Sequence, residues 1–144
     1  MQVGIMKLDK LLEAPITIGG DKSKGDAFLD EMYSLYAPHP FTRNALVIDN
    51  MAVVEVSTFG EEADIWLTNL YSVQRGGGRY GLTAICKLAD RFKVSIALSA
   101  VPCDSLNGKK METADLIMWY KSFGFNLSES EYGYDTNMIR QPQV

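Results

Sequence analysis

The sequence predicts a mixed α/β (α+β) fold: an antiparallel meander leads into a βαβα unit, and a central mixed sheet is flanked by helices. Three observations predict it. Between residues 45 and 73 lie three short apolar runs, separated by turns too short for a crossover. A glycine-rich turn, Gln74–Gly78, then opens a stretch whose apolar residues recur at steps of three and four. Finally Val94–Val101 is nearly all apolar, the pattern of a strand covered on both faces, and a second helical stretch follows it.

Taken in order, Lys7–Glu13 reads as a short helix ended by Pro15. Residues 23–36 carry Phe28, Leu29, Met32, Tyr33 and Tyr36 at helical spacing, with Asp21 or Ser23 as cap and Pro38 as stop. Ala45–Asp49 is the first meander strand, Asp49-Asn50 a turn, and Ala52–Phe59 the second strand, with Val53, Val54 and Val56. Gly60-Glu61-Glu62 turns the chain into Asp64–Val73, where Ile65, Leu67 and Asn69 alternate against Trp66, Thr68 and Leu70. The helix after the glycine turn spans Arg79 to Phe92 and buries Leu82, Ile85, Cys86, Ala89 and Phe92. Pro102–Met111 is a loop containing Asn107-Gly108. The helix Glu112–Phe123 sets Leu116, Trp119, Tyr120 and Phe123 on one side and stops at Gly124. A last strand, Tyr134–Arg140, precedes Pro142.

Length and composition bound the function. The 144 residues make a single domain, 1–144, and 47% hydrophobic with 22% charged residues is ordinary globular usage. Net charge is -4 and no stretch clusters four Lys or Arg, which argues against nucleic acid as a partner. No run reaches the roughly 18 apolar residues of a membrane span, so no membrane partner is expected. Lys7, Asp9 and Lys10 stand where a signal peptide needs an apolar core. Cys86 and Cys103 make no disulfide framework, which suits the cytoplasm. With His39, they also lack zinc spacing, so no metal site is expected. Histidine-dependent nucleophilic catalysis would have to use His39, held between Pro38 and Pro40. Acyl, phosphoryl or nucleotide chemistry remains, or a pure binding role.

The informative segment is Gln74-Arg75-Gly76-Gly77-Gly78-Arg79-Tyr80-Gly81, between a strand and a helix. A helix N-terminus offers unpaired N–H groups and the positive end of the macrodipole, a combination that favours phosphate. Glycines let the backbone approach the anion, and Arg75 and Arg79 add charge. The plainer alternative is a glycine turn needed only for tight packing. Gly76, Gly78 and Gly81 also match GxGxxG, but the next strand ends in Ser99, Ala100 and Val101 without the acidic residue that holds a ribose. No Gly-Lys-Ser/Thr follows the glycines, so a P-loop is not indicated. A nucleotide-binding regulator is the remotest reading.

The strand, the glycine turn, the helix ending Leu88-Ala89-Asp90, the strand Val94–Val101 and the element Trp119-Tyr120-Lys121-Ser122-Phe123-Gly124-Phe125 together resemble the GNAT superfamily of acyl-CoA N-acetyltransferases. Met138-Ile139-Arg140-Gln141-Pro142 is similar to the last strand of small bacterial and phage-type members. The resemblance covers residues 63–142. It implies that Arg75, Gly76, Gly77, Gly78, Arg79, Tyr80 and Gly81 bind the pyrophosphate of acetyl-CoA, the acyl donor. It implies too that Leu70, Tyr71 and Ser72 lie along the pantetheine arm through backbone groups. Tyr80 stands where the family has a small residue, with Gly81 one later, and the link from Ser72 to Arg75 is shorter than usual.

The implied reaction moves an acetyl group to a primary amine by direct attack. An amine of pKa about 10.4 must lose a proton before attack, and the leaving thiolate must gain one. Tyr120 matches the family's general acid, with core packing as its alternative. Glu55 and Asp64 are the candidate bases, and an ordered water can replace either. The acceptor would be a small-molecule amine or a protein amine, a lysine or N-terminus, and a homodimer is an open option. The competing hypothesis is a catalytically inactive GNAT-like module that binds acyl-CoA or a partner protein. His39 reads as a rigid turn beside the acceptor loop, Cys86 as packing, and Cys103 as a loop thiol. Tyr33, Tyr36 and Phe41 are expected in the core or lining an acceptor cleft.

Overall fold

The computed structural model describes residues 23–58, 63–101, 111–128 and 136–143. These form three helices and one seven-stranded mixed sheet. The expected helix Lys7–Glu13, the turn Gly60-Glu61-Glu62, the loop at Asn107-Gly108 and Cys103 lie outside the described residues.

The chain enters through α1, Lys24–Leu35, whose cap is Ser23: its hydroxyl accepts the Asp26 N–H at 3.1 Å. Phe28 and Met32, four residues apart, are fully buried on one face. Tyr36 turns extended ahead of Ala37–Pro38, a two-residue edge strand, β1, which the sequence did not announce. At a sheet edge the missing proline N–H removes no inner ladder bond.

Strands β2 (Ala45–Ile48), β3 (Ala52–Ser57) and β4 (Ile65–Ser72) are the meander, each slightly shorter than its apolar run. The β2–β3 turn holds Asp49 and Asn50 in the left-handed region, φ 50° and 60°, which short polar side chains tolerate. Helix α2 (Gly77–Phe92) follows, then β5 (Ile96–Ser99), α3 (Thr113–Lys121), β6 (Asn126–Leu127) and β7 (Asn137–Arg140). Spatial order is β1-β2-β3-β4-β5-β7-β6, antiparallel throughout except for β4 beside β5. The β4–α2–β5 crossover is the parallel unit the pattern predicts.

One expectation about β4 needs correction. Glu55 pairs with Asn69 but Val56 with Leu67, so Thr68 is an extra residue bulged out of the ladder. The bulge resets the alternation. Leu70 pairs with buried Val54 and joins Leu67 on the helix-covered face, whereas Asn69 sits beside Glu55 on the other. Simple period-two reading put Leu70 and Asn69 the wrong way round.

Helix α2 starts two residues before the expected Arg79 and buries Leu82, Ile85, Cys86, Leu88 and Ala89. It packs on α1 through an edge-on Phe28–Phe92 contact, ring centroids 6.4 Å apart. Burial raises the Cys86 thiol to about 11, so it is a packing group at neutral pH. Arg140, 4% exposed, makes paired hydrogen bonds to Asp90 at 2.7 and 3.0 Å and donates from Nε to the Phe123 carbonyl at 2.7 Å. One β7 side chain thereby joins α2 to the end of α3. Gly124, φ +99°, ends that helical segment as expected. Tyr33 and Phe41 are exposed rather than core, and only Tyr36 packs against the apolar cluster.

Candidate functional site

Strand β4 is held firmly at its start. Ile65 N–H donates to the Ser95 carbonyl, and Asp64 and Ser95 exchange bonds: Asp64 N–H to Ser95 Oγ at 3.0 Å, and Ser95 N–H to Asp64 Oδ2 at 3.0 Å. The registered pairs with β5 are Ile65 with Ile96 and Trp66 with Ala97. From Leu67 onward no β5 residue is registered against β4, although β5 continues to Ser99 in pairing with β7. The bulge at Thr68 falls where this divergence begins; bulges bend a strand and increase its twist. The second half of β4 therefore has no registered partner on its β5 side. Leu70, Tyr71 and Ser72, expected along the pantetheine arm, lie in this unpaired half.

The glycine turn follows this unpaired half. Val73 N–H donates to the Met51 carbonyl at 2.8 Å, Gln74 Nε2 to the Asn50 carbonyl at 2.8 Å, and Gly77 N–H to the Gln74 carbonyl at 2.8 Å. Gly76 is the α2 N-cap in left-handed conformation, φ 79° and ψ 3°, and no side chain caps the helix. With Gly77 N–H taken by Gln74, the first-turn donors of this sixteen-residue helix are the N–H groups of Gly78 and Arg79, beside the exposed Arg75 and Arg79 side chains.

The glycines divide by cause. A Cβ on Gly77 would overlap the Met51 carbonyl oxygen, and one on Gly81 would come within 2.7 Å of Ala52 Cβ. Packing alone demands those two. Gly76 is required by its positive φ, and its Cβ direction is open. A Cβ on Gly78 would meet only the Trp119 ring, at 3.7 Å, an ordinary contact. Neither space nor dihedral accounts for Gly78.

The two motifs read from the sequence meet here. Trp119 of α3 reaches Gly78, and the Arg79 guanidinium lies over the Phe123 ring, 5.4 Å from its centroid. Tyr120 is buried beside Trp119, ring centroids 5.1 Å apart, and Phe125, at 5.6 Å. Glu55 accepts a hydrogen bond from Asn69 Nδ2 at 3.1 Å, one residue beyond the bulge. Asp64 is not brought to the site. It lies at the closed end of β4, occupied by Ser95 and with Lys24 Nζ 3.8 Å away. His39 is a turn-former: its Nδ1 accepts the N–H groups of Phe41 and Thr42 at 3.2 and 3.1 Å.

Sequence reasoning missed Asp49. Its Oδ2 accepts the Tyr80 hydroxyl at 2.6 Å, and that bond first, then the carboxylate's charge, raises the Tyr80 hydroxyl above the ordinary phenol value. Asp49-Asn50 was legible as a turn, but its partner thirty-one residues on was not. Among the described residues no group of His, Cys, Asp and Glu forms a metal site, and no helix is long and apolar enough to cross a membrane.

Sequence comparison finds no family model that matches the chain and no curated protein that matches it.

Proposed function

We propose that the chain is an acetyl-CoA-dependent N-acetyltransferase of the GNAT type. The observation that carries the reading is the unpaired half of β4: registered pairing with β5 ends beside a bulge, and the strand runs on into a glycine-led helix without a side-chain cap. Strand-edge backbone groups suit the amides of a pantetheine arm, and the N–H groups of the α2 first turn suit a pyrophosphate. The N–H groups of Gly78 and Arg79 are the donors this reading uses, Gly77 N–H being bonded to Gln74, and Arg75 and Arg79 supply charge.

In this reading the acceptor amine nitrogen bonds to the thioester carbonyl carbon, the carbon–sulfur bond breaks, the nitrogen loses a proton and the sulfur gains one. Tyr120 is the proton donor to sulfur. Glu55 takes the amine proton directly or through water; it stands beside the bulge, whereas Asp64 is engaged by Ser95 at the other end of β4. The acceptor is a primary amine of a small molecule or a protein.

Calorimetric titration with acetyl-CoA, with free CoA and NADH as controls, tests the donor. Micromolar binding of acetyl-CoA but not NADH is expected, followed by acetylation in a screen of amines. Failure to bind acetyl-CoA or CoA overturns the reading. Binding without transfer to any amine favours the inactive module, which the engagement of Glu55 with Asn69 would then explain.

A further inference from the structure

The β2–β3 turn does more than join two strands. It is the base to which the glycine turn is fastened, on both sides of its most pliable residues. On the strand side, Met51 and Asn50 carbonyls accept from Val73 N–H and Gln74 Nε2, each at 2.8 Å. Gly77 is packed against the same Met51 carbonyl. On the helix side the fastening is a single side-chain bond, Tyr80 hydroxyl to Asp49 Oδ2 at 2.6 Å. Gly76, Gly77 and Gly78 lie between, and three residues without side chains have the greatest backbone freedom to lose. A run of that kind presents its N–H groups in one direction only if it is tied at both ends.

The backbone that carries the acceptor is a tight turn, with Asp49 and Asn50 both at positive φ. Asp49 is also an anion close to a helix N-terminus that has no acidic residue in its own first turn. Left unengaged, it would compete with a phosphate for the same positive end.

We propose that the Tyr80–Asp49 hydrogen bond is a positioning latch: it sets the first turn of α2 to receive the pyrophosphate of an acyl-CoA. The inference rests on the acyl-CoA reading and explains why a phenol occupies a position where that reading expects a small residue. Tyr80 is a positioning residue. It acts through the backbone it holds, and its hydroxyl is spent on Asp49.

The test compares wild type, Tyr80→Phe and Asp49→Asn by titration with acetyl-CoA and with S-acetylpantetheine, which lacks the pyrophosphate. Amide exchange at residues 76–81 is followed in parallel. Tyr80 is 43% exposed, so deleting its oxygen leaves the fold intact, checked by thermal melting. Tyr80→Phe is expected to weaken acetyl-CoA binding about tenfold, the scale of one hydrogen bond to a charged group. It should speed exchange in the turn and leave S-acetylpantetheine unaffected. Asp49→Asn keeps an oxygen that accepts from the phenol and removes the competing charge, so its affinity stays at or above that of wild type. The latch is overturned if Tyr80→Phe binds acetyl-CoA like wild type, if it weakens both ligands equally, or if Asp49→Asn loses as much as Tyr80→Phe. Wild-type protein that binds neither ligand overturns the acyl-CoA reading, and this inference with it.

Discussion

At its start β4 is bound on both flanks. Asp64 and Ser95 exchange side-chain and backbone hydrogen bonds, Ile65 and Trp66 are registered against β5 and Trp66 against Ser57 of β3, and Arg140 of β7, the strand beyond β5, reaches across to Asp90 of α2. At its end the same strand has a bulge behind it, no β5 partner beside it and a helix without a side-chain cap in front of it. At the closed end Asp64 and Ser95, and Asp90 and Arg140, satisfy one another, while the buried Trp66 Nε1 has no hydrogen-bond partner among the described residues. At the other end the second half of β4 has no registered partner on its β5 side. Local asymmetry of this kind within one strand is how a fold keeps a rigid frame around a place for a ligand.

That contrast can be broken from either end. The largest effect is expected on chemistry at the unpaired end. Tyr120→Phe should slow acetyl transfer by roughly 10²–10⁴-fold in a steady-state assay if the phenol is the acid. The ring and its packing against Trp119 and Phe125 survive in this variant. A rate within about twofold of wild type removes Tyr120 from the mechanism.

Next is Gly77→Ala, which forces a methyl into the Met51 carbonyl. Overpacking of this sort costs about 1–3 kcal/mol, read as a lower denaturant midpoint. Gly78→Ala is the matched control.

At the closed end, Asp90→Asn should lose about 2 kcal/mol, since it strips charge from a pair with a nearly buried guanidinium. The hydrogen bond from Arg140, above all, holds the Asp90 carboxyl below its ordinary value, with the Gln143 N–H adding to it. Its stabilisation is therefore complete above the unfolded value of about 3.9 and is lost as pH falls through the lower folded value. Chemical denaturation across that acid window should show a decline in the wild type that is shallower in Asp90→Asn. Equal slopes would mean the pair contributes nothing to acid stability.

The smallest change sharpens the comparison most. Gly78→Ala has room beside Trp119 and replaces a glycine inside a helix, a gain of up to about 1 kcal/mol. Stability should hold or rise while acetyl-CoA affinity falls several-fold. A variant that is both more stable and an undiminished binder would show that Gly78 has no part in the site.

Much of this frame was readable from residue patterns. Ser23 as a cap, the apolar face Leu82, Ile85, Cys86 and Ala89, and the stop at Gly124 each follow from local chemistry, and the structure has them. The glycine turn and the aromatic run at Trp119–Phe125 were legible as a pair, and they pack together. What was not legible is whatever depends on pairing across distance. The bulge at Thr68 reverses Asn69 and Leu70 without any Gly or Pro to mark it. β1 and β6, two residues each, exist only through their partners. Asp64 looked equivalent to Glu55 as a strand carboxylate until Ser95 was found beside it. Asp49 carried no signal beyond its turn, because Tyr80 lies on another element.

The central claim is that the unpaired half of β4 and the glycine turn bind one ligand together. Backbone amide shifts of the labelled protein, followed during titration with acetyl-CoA, report this residue by residue. Saturable shifts concentrated at residues 69–81 and at the end of β5 are expected, with Asp64, Ser95 and Asp90 unmoved. Saturating acetyl-CoA that leaves residues 69–81 unshifted, or shifts confined to the closed end, would contradict it.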